Sequence, residues 1–197
     1  MNPKESGILE RLAALSLERC LVKISKVSAG TWELLDTADS RGTLSAAVGQ
    51  YDFKGRSAAA VYVDVQGGVS LTTLLLFDPE DLDCISKCFL GYSFPRSRTV
   101  SLSEEVMLLE LGNIMLNSLC NSVMNALRSS FMPSVPCFIE GDAAGIAGAL
   151  GAVMDAKKDF RTIAITLTMQ SGASTGRCKV FVLLPDELAA QLEGMVS

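Results

Sequence analysis

The 197-residue chain contains no histidine. That absence removes Ser-His-Asp and Cys-His nucleophile systems, imidazole metal centres and histidine general bases together. Any chemistry must run on carboxylates, amides, hydroxyls, lysine or groups brought by a partner. Charge is sparse as well: charged residues make up only 20 %, so much of the surface must be small, apolar or hydroxyl-bearing, which leaves room for a partner surface. Nucleic acid is excluded as a partner, because a net charge of -5 and a pI near 4.8 lack the clustered Lys and Arg that displace counterions. No uninterrupted apolar run reaches the roughly 18 to 20 residues that cross a bilayer, and Met1 to Ser6 is too polar to open a secretory signal. A soluble cytoplasmic protein without membrane insertion is expected.

The six cysteines, Cys20, Cys84, Cys88, Cys120, Cys137 and Cys178, form no CxxC pair. Cys84 and Cys88 stand one helical turn apart, but with neither a second pair nor a histidine they make a poor zinc site. Buried, reduced thiols are expected.

What the chain has in quantity is apolar residues, 49 % of the total, enough for one domain with a substantial core. Apolar side chains at helical spacing predict a helix over Ser6 to Val27, ended by Ser28-Ala29-Gly30. Trp32 to Leu35 reads as a short strand, Asp36 to Gly42 as turn-rich chain, and Thr43 to about Val48 as a second strand. Two strong strands follow, Ala58 to Val65 and Val69 to Phe77, joined hairpin-fashion at Gln66-Gly67-Gly68. Asp78 is then an N-cap with Pro79 at the first position of a helix to about Leu90, and Gly91 to Thr99, with Pro95, Arg96 and Arg98, reads as a linker.

A long helix enters through Ser101 with Glu104 three residues on, which is capping-box spacing, and runs to about Ser130. Pro133 and Pro136 prevent its continuation. Val135 to Ile139 predicts a strand, while the Ala- and Gly-rich Asp142 to Met154 fits either a loose helix or a small-residue packing surface. Phe160 to Met169 and Lys179 to Leu184 are the last strands, with Gln170 to Gly176 between them, and Pro185 opens a final helix through Leu192.

The order of elements occurs twice, and the ends of the copies, Leu75 to Leu82 and Val180 to Leu188, read alike. The expected fold is α+β, an α/β sandwich of two pseudo-symmetric halves, about residues 6–91 and 101–197, forming a single domain over 1–197.

The second long helix carries a polar stripe of Glu110, Asn113, Asn117, Asn121, Asn125 and Arg128, which at about 100° per residue spans roughly a third of its circumference. Ser118 and Ser122 border it. Glu110 and Asn113 set a carboxylate and an amide side by side on a rigid element. Alone they make a poor active site; they could complete a partner's. The first helix has no such stripe, although Glu10 could correspond to Glu110. Gly112, costly inside a helix by about 1 kcal/mol relative to Ala, admits either a close partner or close packing within the chain.

Glu110-Leu111-Gly112-Asn113, followed by 22 residues and Pro136, resembles the signature of the CheC/CheX/FliY phosphatases of bacterial chemotaxis: Asp or Ser, three residues, Glu, two residues, Asn, 22 residues, Pro. The repeated halves are similar to that family's architecture. The resemblance implies a CheC-like phosphatase acting on the phospho-aspartate of a response-regulator receiver domain, typically CheY-like, in two-component signalling. Glu110 would dock the receiver through a lysine, and Asn113 would hold water in line with the phosphoryl group. No cofactor would be bound by this chain, since Mg²⁺ resides on the receiver. Where the signature has Asp or Ser, this chain has Val106, on the same face as Glu110. Val106, Asn117 and Asn121 are candidate partner-docking positions, and Pro136 is a structural stop. A second reading keeps the fold as a non-catalytic module that docks a receiver, chemoreceptor or flagellar switch protein. A third has exposed hairpin edges supporting a homodimer.

Overall fold

Two long helices and a six-stranded antiparallel sheet make up most of the chain, which the computed structural model describes over residues 7–65, 70–95, 99–129 and 132–196. In order these are α1 (Ile8–Val27), β1 (Thr31–Gly42), α2 (Leu44–Val48), β2 (Ala58–Val65), β3 (Leu71–Phe77), α3 (Leu82–Leu90), α4 (Leu102–Ala126), β4 (Cys137–Gly141), α5 (Ala143–Leu150), β5 (Phe160–Ser171), β6 (Ser174–Pro185) and α6 (Asp186–Val196). The expected turn at Gln66-Gly67-Gly68, Arg96 and Arg98 of the expected linker, and Met1 to Ser6 lie outside the described residues. The fold is α+β, and the pattern helix, strand, short helix, two strands, helix occurs twice.

The sheet order β1-β5-β6-β3-β2-β4 interleaves the two copies. Each hairpin, β2–β3 or β5–β6, carries on its outer side the single strand of the other copy: β4 pairs with β2, and β1 with β5. The hairpins meet at the centre through β3 and β6. The hairpin edges are therefore covered, which removes the basis for a homodimer through them; the open edges belong to β1 and β4.

Alternation along the strands sends side chains to two cores. Ala59, Val61, Val63 and Val65 of β2 face the larger core under α1, α3, α4 and α6, whereas Ala58 and Ala60 face a smaller one under α2 and α5. Every residue of β3 is buried, because both faces at the sheet centre are covered.

Several boundaries depart from sequence expectation for physical reasons. Asp36 to Gly42 is strand, not turn: β1 pairs with β5 from Thr31 to Gly42, with a register shift between Leu34 and Asp36. Its turn-like polar residues suit an edge strand, and Asp39 accepts two hydrogen bonds at 2.5 Å from the Arg161 guanidinium on β5. Thr43 to Val48 is not a strand, because the Thr43 hydroxyl accepts from Ala46 N and caps α2. Asp142 likewise caps α5, accepting from Gly145 N at 2.8 Å, so this Ala- and Gly-rich stretch is helix over Ala143–Leu150 and turn beyond it. The β5–β6 turn narrows to the residues around Gly172, whose φ of +59° suits glycine. Pro185 ends β6 rather than opening α6. Helix α4 ends at Ala126, short of Ser130, because Arg128 turns left-handed at φ +52° and Ser129 N donates back to Met124 O.

By length and composition α4 could cross a membrane. Leu108, Leu111, Met115, Leu116 and Leu119 are instead buried in the larger core. Its seat on the sheet is set by Gly112, where an added Cβ would lie 2.4 Å from Val61 Cγ1 on β2. Close packing within the chain thus explains this glycine.

Cys20, Cys84, Cys88, Cys120 and Cys178 are buried free thiols, and Cys137 is half-buried. Burial pushes the Cys88 and Cys120 thiols up to about 11, so both stay protonated and unreactive at neutral pH. Alkylation of the native protein, followed by mass spectrometry, should label Cys137 first.

In an ordinary helix interior Gly→Ala is stabilising. Here Gly112→Ala should cost about 1–3 kcal/mol through overpacking, read by urea unfolding, and the penalty should shrink or reverse in a Val61→Ala background.

Candidate functional site

Ser101 starts α4 as a full capping box: its hydroxyl accepts from Glu104 N, and Glu104 Oε2 accepts from Ser101 N at 2.8 Å. In α1, Glu10 Oε2 accepts from Gly7 N at the same distance. Glu10 is thus the counterpart in role of Glu104, not of Glu110. Superposing the buried positions Ala13, Leu17, Cys20, Leu21 and Ile24 on Leu108, Gly112, Met115, Leu116 and Leu119 gives the same spacing in both helices. In that register, one residue away from the one that matches Glu10 with Glu104, Leu15, Glu18 and Val22 occupy the places of Glu110, Asn113 and Asn117. Only the second copy carries the carboxylate and amide.

With α4 seated through Gly112, the opposite face is turned to solvent. Glu110, Asn113, Asn121 and Asn125 are exposed, and Asn117 is half-buried. Glu110 forms no ion pair with any described residue, so its carboxylate is available to a partner's cation. Asn113 is held from below: Asn117 Nδ2 donates to Asn113 Oδ1 at 2.7 Å, an i,i+4 contact. The Asn117 Oδ1 is shut off from solvent without a partner. Such an acceptor costs about 1–3 kcal/mol of desolvation, so this amide is not an idle member of a solvated stripe.

The serines that border the stripe divide differently. Ser122 Oγ donates to Ser16 Oγ at 2.7 Å, and Ser16 Oγ donates to the Ser118 carbonyl at 3.0 Å, so Ser122 ties α4 to α1 instead of extending a docking surface. Arg128 lies past the end of the helix.

Val106, one turn before Glu110, is 59 % exposed. It lines a groove of about 510 Å³ with Phe89, Leu90, Tyr92, Phe94, Leu102 and Met107, and Glu110 contributes to the same lining. Leu102 and Tyr92 are also largely exposed, at 76 % and 57 %. Sequence reasoning missed this apolar groove, because Tyr92 and Phe94 fall in a stretch that reads as a linker. The only signal was the two aromatics there, whose rings pack edge to face with centroids 5.6 Å apart. Pro136 precedes β4 at the sheet edge, where the missing N–H is tolerated.

Chemically, the site offers an anion, an oriented neutral amide and an adjacent apolar groove. It has no nucleophile activated by a base. Among the described residues no group of three or more Cys, Asp or Glu side chains could hold a metal ion.

No protein-family model matches this sequence, and no curated protein does. Solved structures do match in fold. FliY of Thermotoga maritima aligns over 99 % of this chain and 96 % of its own, with a TM-score of 0.69 and 14 % identity. The FliM middle domain of H. pylori aligns over 96 % and 99 %, with a TM-score of 0.63 and 12 % identity. A chain of the CheX-CheY-BeF3-Mg²⁺ complex of Borrelia burgdorferi aligns over 89 % and 97 %, with a TM-score of 0.53 and 15 % identity. The chain thus has, over nearly its whole length, the fold of the CheX and FliY proteins, which the FliM middle domain also has.

Proposed function

We propose that the chain is a CheC-like phosphatase that speeds hydrolysis of the aspartyl phosphate on a CheY-like receiver domain. The observation that carries this reading is the pair Glu110 and Asn113, exposed together on a helix locked to the sheet, with the Asn113 carbonyl oxygen held by Asn117. The signature spacing to Pro136 and the fold shared with a chain of the CheX-CheY complex support it.

In this mechanism Glu110 pairs with a lysine of the receiver and sets the docking register. Asn113 enters the receiver's site and holds a water in line with the phosphorus. The water oxygen bonds to phosphorus as the bond from phosphorus to the aspartate oxygen breaks. Aspartate leaves as the carboxylate, and the water's proton leaves with inorganic phosphate or solvent. Phosphoryl transfer depends chiefly on positioning and charge stabilisation, so a neutral amide that orients water suffices, and the receiver with its own Mg²⁺ supplies the electrostatics. Histidine is not required.

One observation favours a second reading, a receiver- or switch-binding module without catalysis. Val106 replaces the signature's Asp or Ser with an exposed apolar side chain beside Leu102 and the groove, and the FliM middle domain shares the fold. In either reading Val106 and the exposed Asn121 lie on the docking face.

The two readings separate when phosphorylated receivers are mixed with the chain and phosphate release is followed. Asn113→Ala should slow dephosphorylation about 100-fold while leaving receiver affinity nearly unchanged. Glu110→Ala should weaken binding roughly tenfold, about 1.4 kcal/mol. Wild-type protein that binds receivers and accelerates none would sink the catalytic reading in favour of the module. Activity that appears on Val106→Asp or Val106→Ser would then assign the loss to that side chain.

A further inference from the structure

We infer that Asn117 is a positioning residue for Asn113, fixing which way round its amide is presented to a partner; its catalytic consequence rests on the phosphatase reading above. Asn117 is half-buried, its Nδ2 donates to Asn113 Oδ1 at 2.7 Å, and its own Oδ1 is enclosed with no partner. An exposed asparagine pair would ordinarily exchange partners with water and turn freely. Here the enclosure restricts Asn117 to one useful arrangement.

The reverse arrangement requires both amides to turn together, with Asn113 Nδ2 donating to Asn117 Oδ1. That would put the Asn117 Nδ2 hydrogens in the enclosed position, where the oxygen now meets no hydrogen-bond partner. In the structure Asn113 turns Oδ1 towards Asn117.

One lone pair of Asn113 Oδ1 is then taken, while the second lone pair and both Nδ2 hydrogens remain for whatever docks. A water that donates to that lone pair keeps its own lone pair free for attack. Asn117 touches neither water nor phosphoryl group in this scheme; it sets the plane of the amide that does.

The test uses the full chain with Asn117→Leu, which keeps the size, abolishes the donor and removes the unpaired buried acceptor. Asn117→Ala serves as a second variant should the first fail to fold. Three measurements are made, the last being the melting temperature. The first is the order parameter of the Asn113 side-chain ¹⁵Nδ2 by NMR relaxation, expected to be high in wild type and to fall to that of a mobile side chain in both variants. The second is receiver dephosphorylation, where kcat should drop about tenfold with KM within about twofold, and where Asn117→Leu should have no further effect in an Asn113→Ala background.

Asn117→Leu should melt at or above the wild-type temperature, since an unpaired buried acceptor has been removed. A purely structural Asn117 would show the opposite pattern, a lowered melting temperature with kcat unchanged, and would overturn the inference. An unchanged Asn113 order parameter would also overturn it. If the wild-type chain accelerates no receiver, the phosphatase reading fails, while the NMR measurement still decides whether Asn117 holds Asn113.

Discussion

The contact between Gly112 and Val61 is the constraint on which the rest of the site depends. The side chains that seat α4 are apolar and would tolerate some rotation of the helix, but a backbone that meets Val61 where a Cβ would stand 2.4 Å away has little freedom to roll or lift. With Leu108, Leu111, Met115 and Leu119 turned into the core, the direction of the opposite face is decided. Glu110 and Asn113 project from that face because of what is packed beneath them. A helix anchored in this way holds both side chains on a rigid element.

The duplication explains why this helix could be specialised. Each hairpin is completed by the lone strand of the other copy, so neither half can close its sheet by itself. The two helices share a pattern of buried residues and an N-terminal glutamate cap, yet only one has a glycine against the sheet and amides on its outer face. Core positions are held by packing in both copies. Exposed positions carry no such constraint, so Leu15, Glu18 and Val22 could stand where the other copy has Glu110, Asn113 and Asn117.

Around the pair the surface is of two kinds. Towards the C-terminal end of α4 lie amides, one of them partly enclosed and bonded to Asn113. Towards the N-terminal end lie Val106, Leu102 and the groove lined by Tyr92 and Phe94. A polar end beside an apolar one suits recognition of a protein surface better than capture of a small charged molecule, since burial of apolar area stabilises a docked protein while the polar end fixes its register.

By itself the sequence determined the two long helices, both hairpins and the twofold repeat of elements, and it singled out Glu110 and Asn113 as a candidate pair. Those features rest on local periodicity, on capping residues such as Ser101 with Glu104, and on motif spacing, all of which are properties of neighbouring residues. Tertiary structure alone decided the others. Asp36 to Gly42 has the composition of a turn and is a strand because β5 lies beside it to pair with. Ser122 looks like the edge of a polar stripe and is a link to α1, because another helix crosses there. Gly112 could have served a partner and packs on Val61 instead, and Asn117 reads as surface although its carbonyl oxygen is enclosed. In each case the deciding neighbour is distant along the chain or set by the packing, and no local pattern encodes it.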